Sequence, residues 1–297
     1  MNQQIELPIE SPKKNGKIIS FINMKGGVGK TTLSIGVADF LAHYRAEEES
    51  NLKILLIDAD PQFNATQALL DSYYEGDYFK DILPEEKTIN KLFKPRVQFS
   101  QQYKSPSPNE MIVELTENLH IVCGDLNLVL ANKSSDYTHV KRLKRFINDN
   151  KLREVYDLII IDCPPTLTIY TDSALIASDY YLIPNRIDRY SIIGISSLQK
   201  AINNLTGEED INLECLGLIY TILDDELTLK QEEMKSNFEA KEDVQQINIF
   251  TAYTSNVKDI QVGKQGPIPT RYKKSREDLR DICAEILDNI QQGVCNV

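Results

Sequence analysis

The apolar positions of this chain fall into short unbroken runs, separated by stretches in which they recur every three or four residues. The runs are KIISFIN (17–23), KILLIDAD (53–60), LHIVCG (119–124), YDLIIIDCPP (156–165), YYLIPN (180–185) and LECLGLIYTIL (213–223). They are short and rich in Ile, Leu and Val, so they predict buried strands. Between them, residues 31–44, 62–70, 139–153, 171–177, 191–204 and 226–240 read as helices; in the first, Leu33, Val37, Phe40 and Leu41 mark one face. SREDLRDICAEILDNIQQ (275–292) is an amphipathic closing helix, with Ser275 and Asp278 spaced as an N-terminal cap. Strands that are apolar throughout have no water-facing side. Their alternation with helices predicts an α/β fold, a doubly wound, mostly parallel sheet with helices on both faces. The expected division is a short N-terminal extension (1–16), one domain over 17–292 and a tail at 293–297. Segment 71–115 is long, polar and rich in Tyr and Pro, and is expected to be a surface elaboration with a short helix near 88–93.

Composition narrows the class. With 297 residues, 41% of them hydrophobic, the chain can bury a large core. No run of eighteen apolar residues suggests a membrane span, and the first residues carry no apolar stretch of a secretory signal. The five cysteines, at 123, 163, 215, 283 and 295, are odd in number and show no C-x-x-C spacing, which argues against a disulfide framework or a zinc site. A reduced, cytoplasmic protein is expected. The net charge of −11 argues against nucleic acid as a partner of the whole surface. The charge is uneven, however. Residues 139–153 and 256–276 each hold six Lys/Arg against one Asp, so each can form a local cationic patch.

The chemistry concentrates after the first strand. FINMKGGVGKTT (21–32) fits the phosphate-loop pattern G-x-x-x-x-G-K-[ST] at Gly29, Lys30 and Thr31. Met24 stands where the first glycine belongs, and a second lysine, Lys25, follows it. The strand–loop–helix setting separates this from an ordinary glycine turn. Gly26, Gly27, Val28 and Gly29 form a cradle whose backbone N–H groups can face the phosphates of ATP. Lys30 is placed for the β- and γ-phosphates, the Thr31 hydroxyl for Mg²⁺, and Thr32 for the α-phosphate. Asp162, ending the most apolar strand, takes the position of a carboxylate that holds Mg²⁺ through water. Asp58 and Asp60, two residues apart at the end of the neighbouring strand, share a face; one can orient the attacking water while the other supports metal-bound waters. Two helix-capping aspartates are the alternative. For the base, Tyr220 and Thr221 or the backbone around 252–257 are candidates.

KGGVGKTT, LLIDADPQFNAT and YDLIIIDCPP, in this order, closely resemble the ParA/MinD class of ATPases with a deviant Walker A motif. The likeness runs from about residue 17 to 290, and SNVKDIQVGKQGPI followed by a final helix resembles the ParA partition branch. The resemblance implies a role for Lys25: it reaches across a homodimer interface to the phosphates of the ATP held by the other subunit. By position it implies Asp60 as the residue orienting the water, Asp58 as metal support and Asp162 as the Walker B acid. It further implies a dimer that binds DNA without sequence preference, a ParB-type centromere-binding partner that triggers hydrolysis, and a nucleoid-associated location. Lys258, Lys264, Arg271, Lys273, Lys274 and Arg276 are the candidates for the DNA surface. The alternative is a MinD-like membrane- or pole-positioning ATPase that does not bind DNA; the acidic closing helix disfavours membrane cycling. Fewer than twenty residues precede the first strand, so no operator-binding helix-turn-helix arm is expected. RIDRYSIIGISSL, after YYLIPN, matches the family only loosely.

Overall fold

The computed structural model describes residues 14–45, 50–94, 103–131, 137–188 and 191–292. Seven strands form one sheet: β1 (Lys17–Phe21), β2 (Ile54–Asp58), β3 (Ile112–Glu114), β4 (Leu119–Val122), β5 (Leu158–Asp162), β6 (Tyr180–Asn185) and β7 (Glu214–Tyr220). Their order is β3-β4-β2-β5-β1-β6-β7, and all neighbours are parallel except β3, which runs antiparallel to β4. The order reverses direction around β1 and β5. Such a reversal opens a crevice beyond the carboxyl ends of the strands.

The period-2 geometry of a strand explains why the apolar runs have no polar face. In β5, Leu158 and Ile160 belong to one core cluster, while Ile159 and Ile161 belong to the other. One face carries α1 (Lys30–His43), α2 (Asn64–Tyr73) and α7 (Lys273–Gln292). The other carries α3 (Arg142–Asp149), α4 (Ile169–Ala177) and α5 (Ser191–Glu209), and α6 (Leu229–Glu239) follows β7. Leu279, Ile282 and Ile286 of α7 are fully buried in the cluster that contains α1. Each contributes roughly 1.5–3 kcal/mol by leaving water.

Three local expectations need correction. The helix expected over 139–153 is broken: α3 ends at Asp149, Lys151 takes a left-handed φ of 51°, and a short turn of helix follows at Leu152–Val155. Asn150 terminates α3 by donating its side-chain amide to the Phe146 carbonyl (2.9 Å). The cap expected at Ser275 is absent, because α7 starts at Lys273. Asp278 instead accepts the Ser255 backbone N–H (2.7 Å) and ties α7 to the chain beside β7. Segment 71–115 is also more than surface. Ile82, Ile89, Leu92, Phe93, Met111 and Ile112 are buried, and β3 lies inside it. A three-residue strand is too short to leave a periodic signal.

Beyond β7, residues 248–256 lie along the strand. Leu218 N–H donates to Asn248 O (2.8 Å), Phe250 N–H to Leu218 O (2.9 Å), and Leu223 N–H to Thr254 O (2.9 Å). This covers the sheet edge and delivers residues 254–257 to the crevice.

Candidate functional site

The loop between β1 and α1 turns back on itself at Gly27 (φ 74°) and Gly29 (φ 77°), conformations that a side chain resists. Val28 between them is buried and anchors the loop. Thr221, at the end of β7, donates its hydroxyl to the Val28 carbonyl (2.7 Å). That bond fixes the loop from below. It corrects the expectation that Thr221 contacts the base: Thr221 is 1% exposed, and its hydroxyl faces the Val28 and Asn185 carbonyls. Tyr220 is corrected too. It is buried, and its hydroxyl donates to Glu239 (3.0 Å) beneath α6.

The two lysines of the loop have different settings. Lys30 is 6% exposed, and its ammonium donates to the Lys25 carbonyl (2.9 Å), which closes the loop around it. Burial pulls its pKa below the ordinary lysine value, opposed by the nearby Asp162. Lys25 is held by its backbone: its N–H donates to Asn23 Oδ1 (3.0 Å), and Asn23 Nδ2 in turn donates to Pro184 O (2.8 Å) on β6. Its side chain is one-third exposed and forms an ion pair with Asp188, in the loop after β6. Neither Asn23 nor Asp188 stands out in the sequence. Asp188 lies where the family likeness is weakest.

The carboxylates lie side by side because β2 and β5 pair in register, Asp58 opposite Asp162. Asp162 is fully buried; its Oδ2 accepts the Thr31 hydroxyl (2.7 Å), and its Oδ1 has no partner among the described residues. Burial and then the neighbouring Asp58 charge push its pKa up. An orphaned, dehydrated carboxylate oxygen beside a hydroxyl is a donor set that fits a hard divalent cation such as Mg²⁺. Asp58 is also buried, and burial raises its pKa as well. Its hydrogen bonds go to its own chain: Oδ2 accepts from Thr66 N–H and hydroxyl (2.8 Å each), and Oδ1 from Asp60 N–H (3.2 Å). That is the capping use the sequence left open. Asp60 accepts from Gln62 N–H (2.8 Å) and is 7% exposed at the mouth of the crevice. The turn closes at Phe63, left-handed at φ 43°, whose ring stacks on Tyr78 (5.2 Å, 15°) of segment 71–115. Tyr78 also donates to the Gly124 carbonyl (2.9 Å), so this segment buttresses the aspartate loop.

Beside Gly29 and Thr32 opens a cavity of about 80 Å³, walled by Ile222, Asn256, Val257 and Pro269 among others. It adjoins the start of α1 through Gly29 and Thr32, an arrangement that can take a ligand with a phosphate end and an apolar end.

A family model described as an AAA domain matches residues 16–215. The sporulation initiation inhibitor protein Soj of Bacillus subtilis (strain 168) is 32% identical over 232 residues, 76% of this chain and 81% of Soj. The chromosome-partitioning ATPase Soj of Treponema pallidum (strain Nichols) is 27% identical over 220 residues, 74% of this chain and 77% of its own. The chain belongs to the ParA/Soj partition branch of the ParA/MinD-type ATPases. Its fold is shared with Cyanothece McdA, solved as an ATP complex of an Asp-to-Ala variant: TM-score 0.73, 20% identity, 94% of this chain and 97% of that one.

For a ParA-type protein the cationic run 256–276 is of interest, and most of its charges already have partners. Lys264 pairs with Asp259 (3.3 Å), Lys273 with Glu277 (4.0 Å) and Lys274 with Asp278 (3.3 Å). The Arg271 and Arg276 guanidinium groups lie over the rings of Tyr73 (5.9 Å) and Tyr44 (5.4 Å). Lys258 is exposed and has no ion pair among the described residues. In the other run, Arg142 is buried and donates to the Leu92 and Lys94 carbonyls (2.8 Å each), a structural role. Cys163 is a fully buried thiol whose pKa burial pushes up, a setting unlike that of a metal-ligating thiolate.

Proposed function

We propose that this ATPase is a DNA-partition switch: with ATP and Mg²⁺ it pairs face to face, binds DNA without sequence preference, and is released when a ParB-type partner stimulates hydrolysis. The observation that carries the reading is the setting of Lys25. Its side chain is one-third exposed and its ammonium pairs with Asp188, not with the Lys30–Asp162 site of its own chain. A lysine on a glycine-rich loop that does not serve its own phosphates is available to those of a second copy. Arriving there, it neutralises charge as an arginine finger does.

Within one subunit, the loop N–H groups and Lys30 hold the β- and γ-phosphates, and Thr32 lies at the α-phosphate. Thr31 and Asp162 would hold Mg²⁺, with Asp58 stiffening the wall beside them. When bound, Mg²⁺ would supply charge neutralisation at the phosphates. Asp60 orients the attacking water at the crevice mouth. Loss of the γ-phosphate removes the ligand shared by the two subunits, which then part. Two copies present twice the cationic surface, so DNA binding follows pairing and weakens steeply with salt. Nucleoid association follows from the same contacts. A membrane-cycling role is disfavoured because the apolar face of α7 is already buried in the core that contains α1. No helix among the described residues is long and apolar enough to cross a membrane.

The test is Lys25→Ala, with mass measured by light scattering in ATP and in ADP. The variant should still bind ATP but remain monomeric. ATP-dependent dimers of the variant would remove the basis for the trans contact.

A further inference from the structure

Ser255 and Asn256 line the cavity beside the phosphate loop, and each carries a buried polar atom with no partner among the described residues, Ser255 Oγ and Asn256 Oδ1. The backbone N–H groups of both residues are satisfied. Ser255 N–H is taken by Asp278, and Asn256 N–H donates to Leu223 O (2.6 Å). The two unpaired atoms therefore sit on a backbone held from both sides.

The orientation of the Asn256 amide is not free. Its Nδ2 donates to Asp224 Oδ1 (2.7 Å). That bond, with a second from Gln231, holds the Asp224 carboxyl below its usual range, so Asp224 is ionised and can only accept. Turning the amide over would set Oδ1 against a carboxylate. The amide is locked with its NH₂ toward Asp224 and its carbonyl oxygen away from it, as an acceptor that needs a donor.

We propose that Asn256, locked by Asp224, reads the nucleobase and selects adenine over guanine. This rests on the reading of the neighbouring loop as an ATP site. The apolar walls, Ile222, Val257 and Pro269, suit the faces of any purine and do not discriminate. The difference lies at the 6-position: adenine offers an amino donor, guanine a carbonyl acceptor. Asn256 Oδ1 pairs with the first and repels the second. Ser255 Oγ, able to donate or accept, serves a ring nitrogen of either base. A site built to hydrogen-bond one group rejects the analogue lacking it, because its own buried atom is then left unpaired.

Three ligands test this by equilibrium binding to the full chain with Mg²⁺: ATP, GTP, and purine riboside triphosphate, which lacks the 6-amino group. The wild type should bind ATP about tenfold or more tighter than either of the others. Asn256→Leu should reduce ATP to the level of the purine analogue and leave that analogue unchanged. Asp224→Ala, at an exposed position away from the core, frees the amide to turn its NH₂ to guanine. The ATP-to-GTP preference should then fall about tenfold, with GTP gaining. Equal binding of ATP and the purine analogue by the wild type, or an unchanged preference in both variants, overturns the assignment while leaving the phosphate site intact. A wild type that binds no triphosphate overturns the underlying reading along with it.

Discussion

The phosphate loop and the run 256–276 are both short, glycine-containing and rich in cations, but the fold treats their charges differently. Lys30 is taken out of water, held by a backbone carbonyl and left without an ion pair among the described residues. The cations of 256–276 stay at the surface, and five of the six have an acidic or aromatic neighbour. A buried ammonium whose lost hydration is only partly offset by Asp162 and Asp60 is costly and persists where a ligand is to supply further negative charge. A surface ammonium beside a carboxylate costs little and promises little. The number of lysines in a stretch therefore says less than what each one faces.

The largest effect expected from that contrast compares two changes of equal charge. Lys30→Ala should weaken ATP binding by about a hundredfold, the scale of one charge-assisted hydrogen bond. Lys273→Ala should leave it within about twofold. Titration calorimetry with both variants decides the matter, and equal losses would mean that the loop lysine acts only through overall charge.

A smaller effect concerns Lys25, which lies between the two cases: half released by the fold, half held by Asp188. Asp188→Asn should free it. The pair is partly exposed, so the gain is modest, up to about a fivefold increase in the affinity of the ATP-dependent dimer. Sedimentation in ATP measures it. A variant with weaker dimers would show that Asp188 is needed across the interface and not as a tether.

The same contrast explains what is legible in the sequence. The parallel sheet can be read because strands covered on both faces need continuous apolar runs, and Ile54–Ile57 of β2 and Leu158–Ile161 of β5 are such runs. The phosphate loop can be read because its chemistry is contiguous: Gly27 to Thr31 carry the turn, the cation and the hydroxyl in five residues. The base cavity cannot. Gly29, Ile222, Asn256 and Pro269 come together only after β7 is laid down and residues 248–256 cover its edge. The role of Thr221 is hidden for the same reason, since its partner Val28 is distant in sequence. The salt bridges of 256–276 are partly visible as i, i+4 spacings at Lys273–Glu277 and Lys274–Asp278. The aromatic partners Tyr44 and Tyr73 lie on other elements and leave no sign.

The smallest expected effect is on DNA, and it follows from counting only the charges left over. A cation that neutralises a phosphate releases counterions, so the slope of log affinity against log salt falls by about 0.9 for each phosphate no longer neutralised. Lys258 has no carboxylate partner among the described residues, so Lys258→Ala in a dimer should reduce the slope by about 1.8. Lys273 can reach a phosphate only by leaving Glu277, which then repels the same phosphate; its net contribution is near zero, and Lys273→Ala should change the slope little. Non-specific duplex titrated at several salt concentrations with ATP gives both numbers. Equal slopes for the two variants would mean that DNA breaks the helix-surface pairs of α7, and the run would then act through its full charge after all.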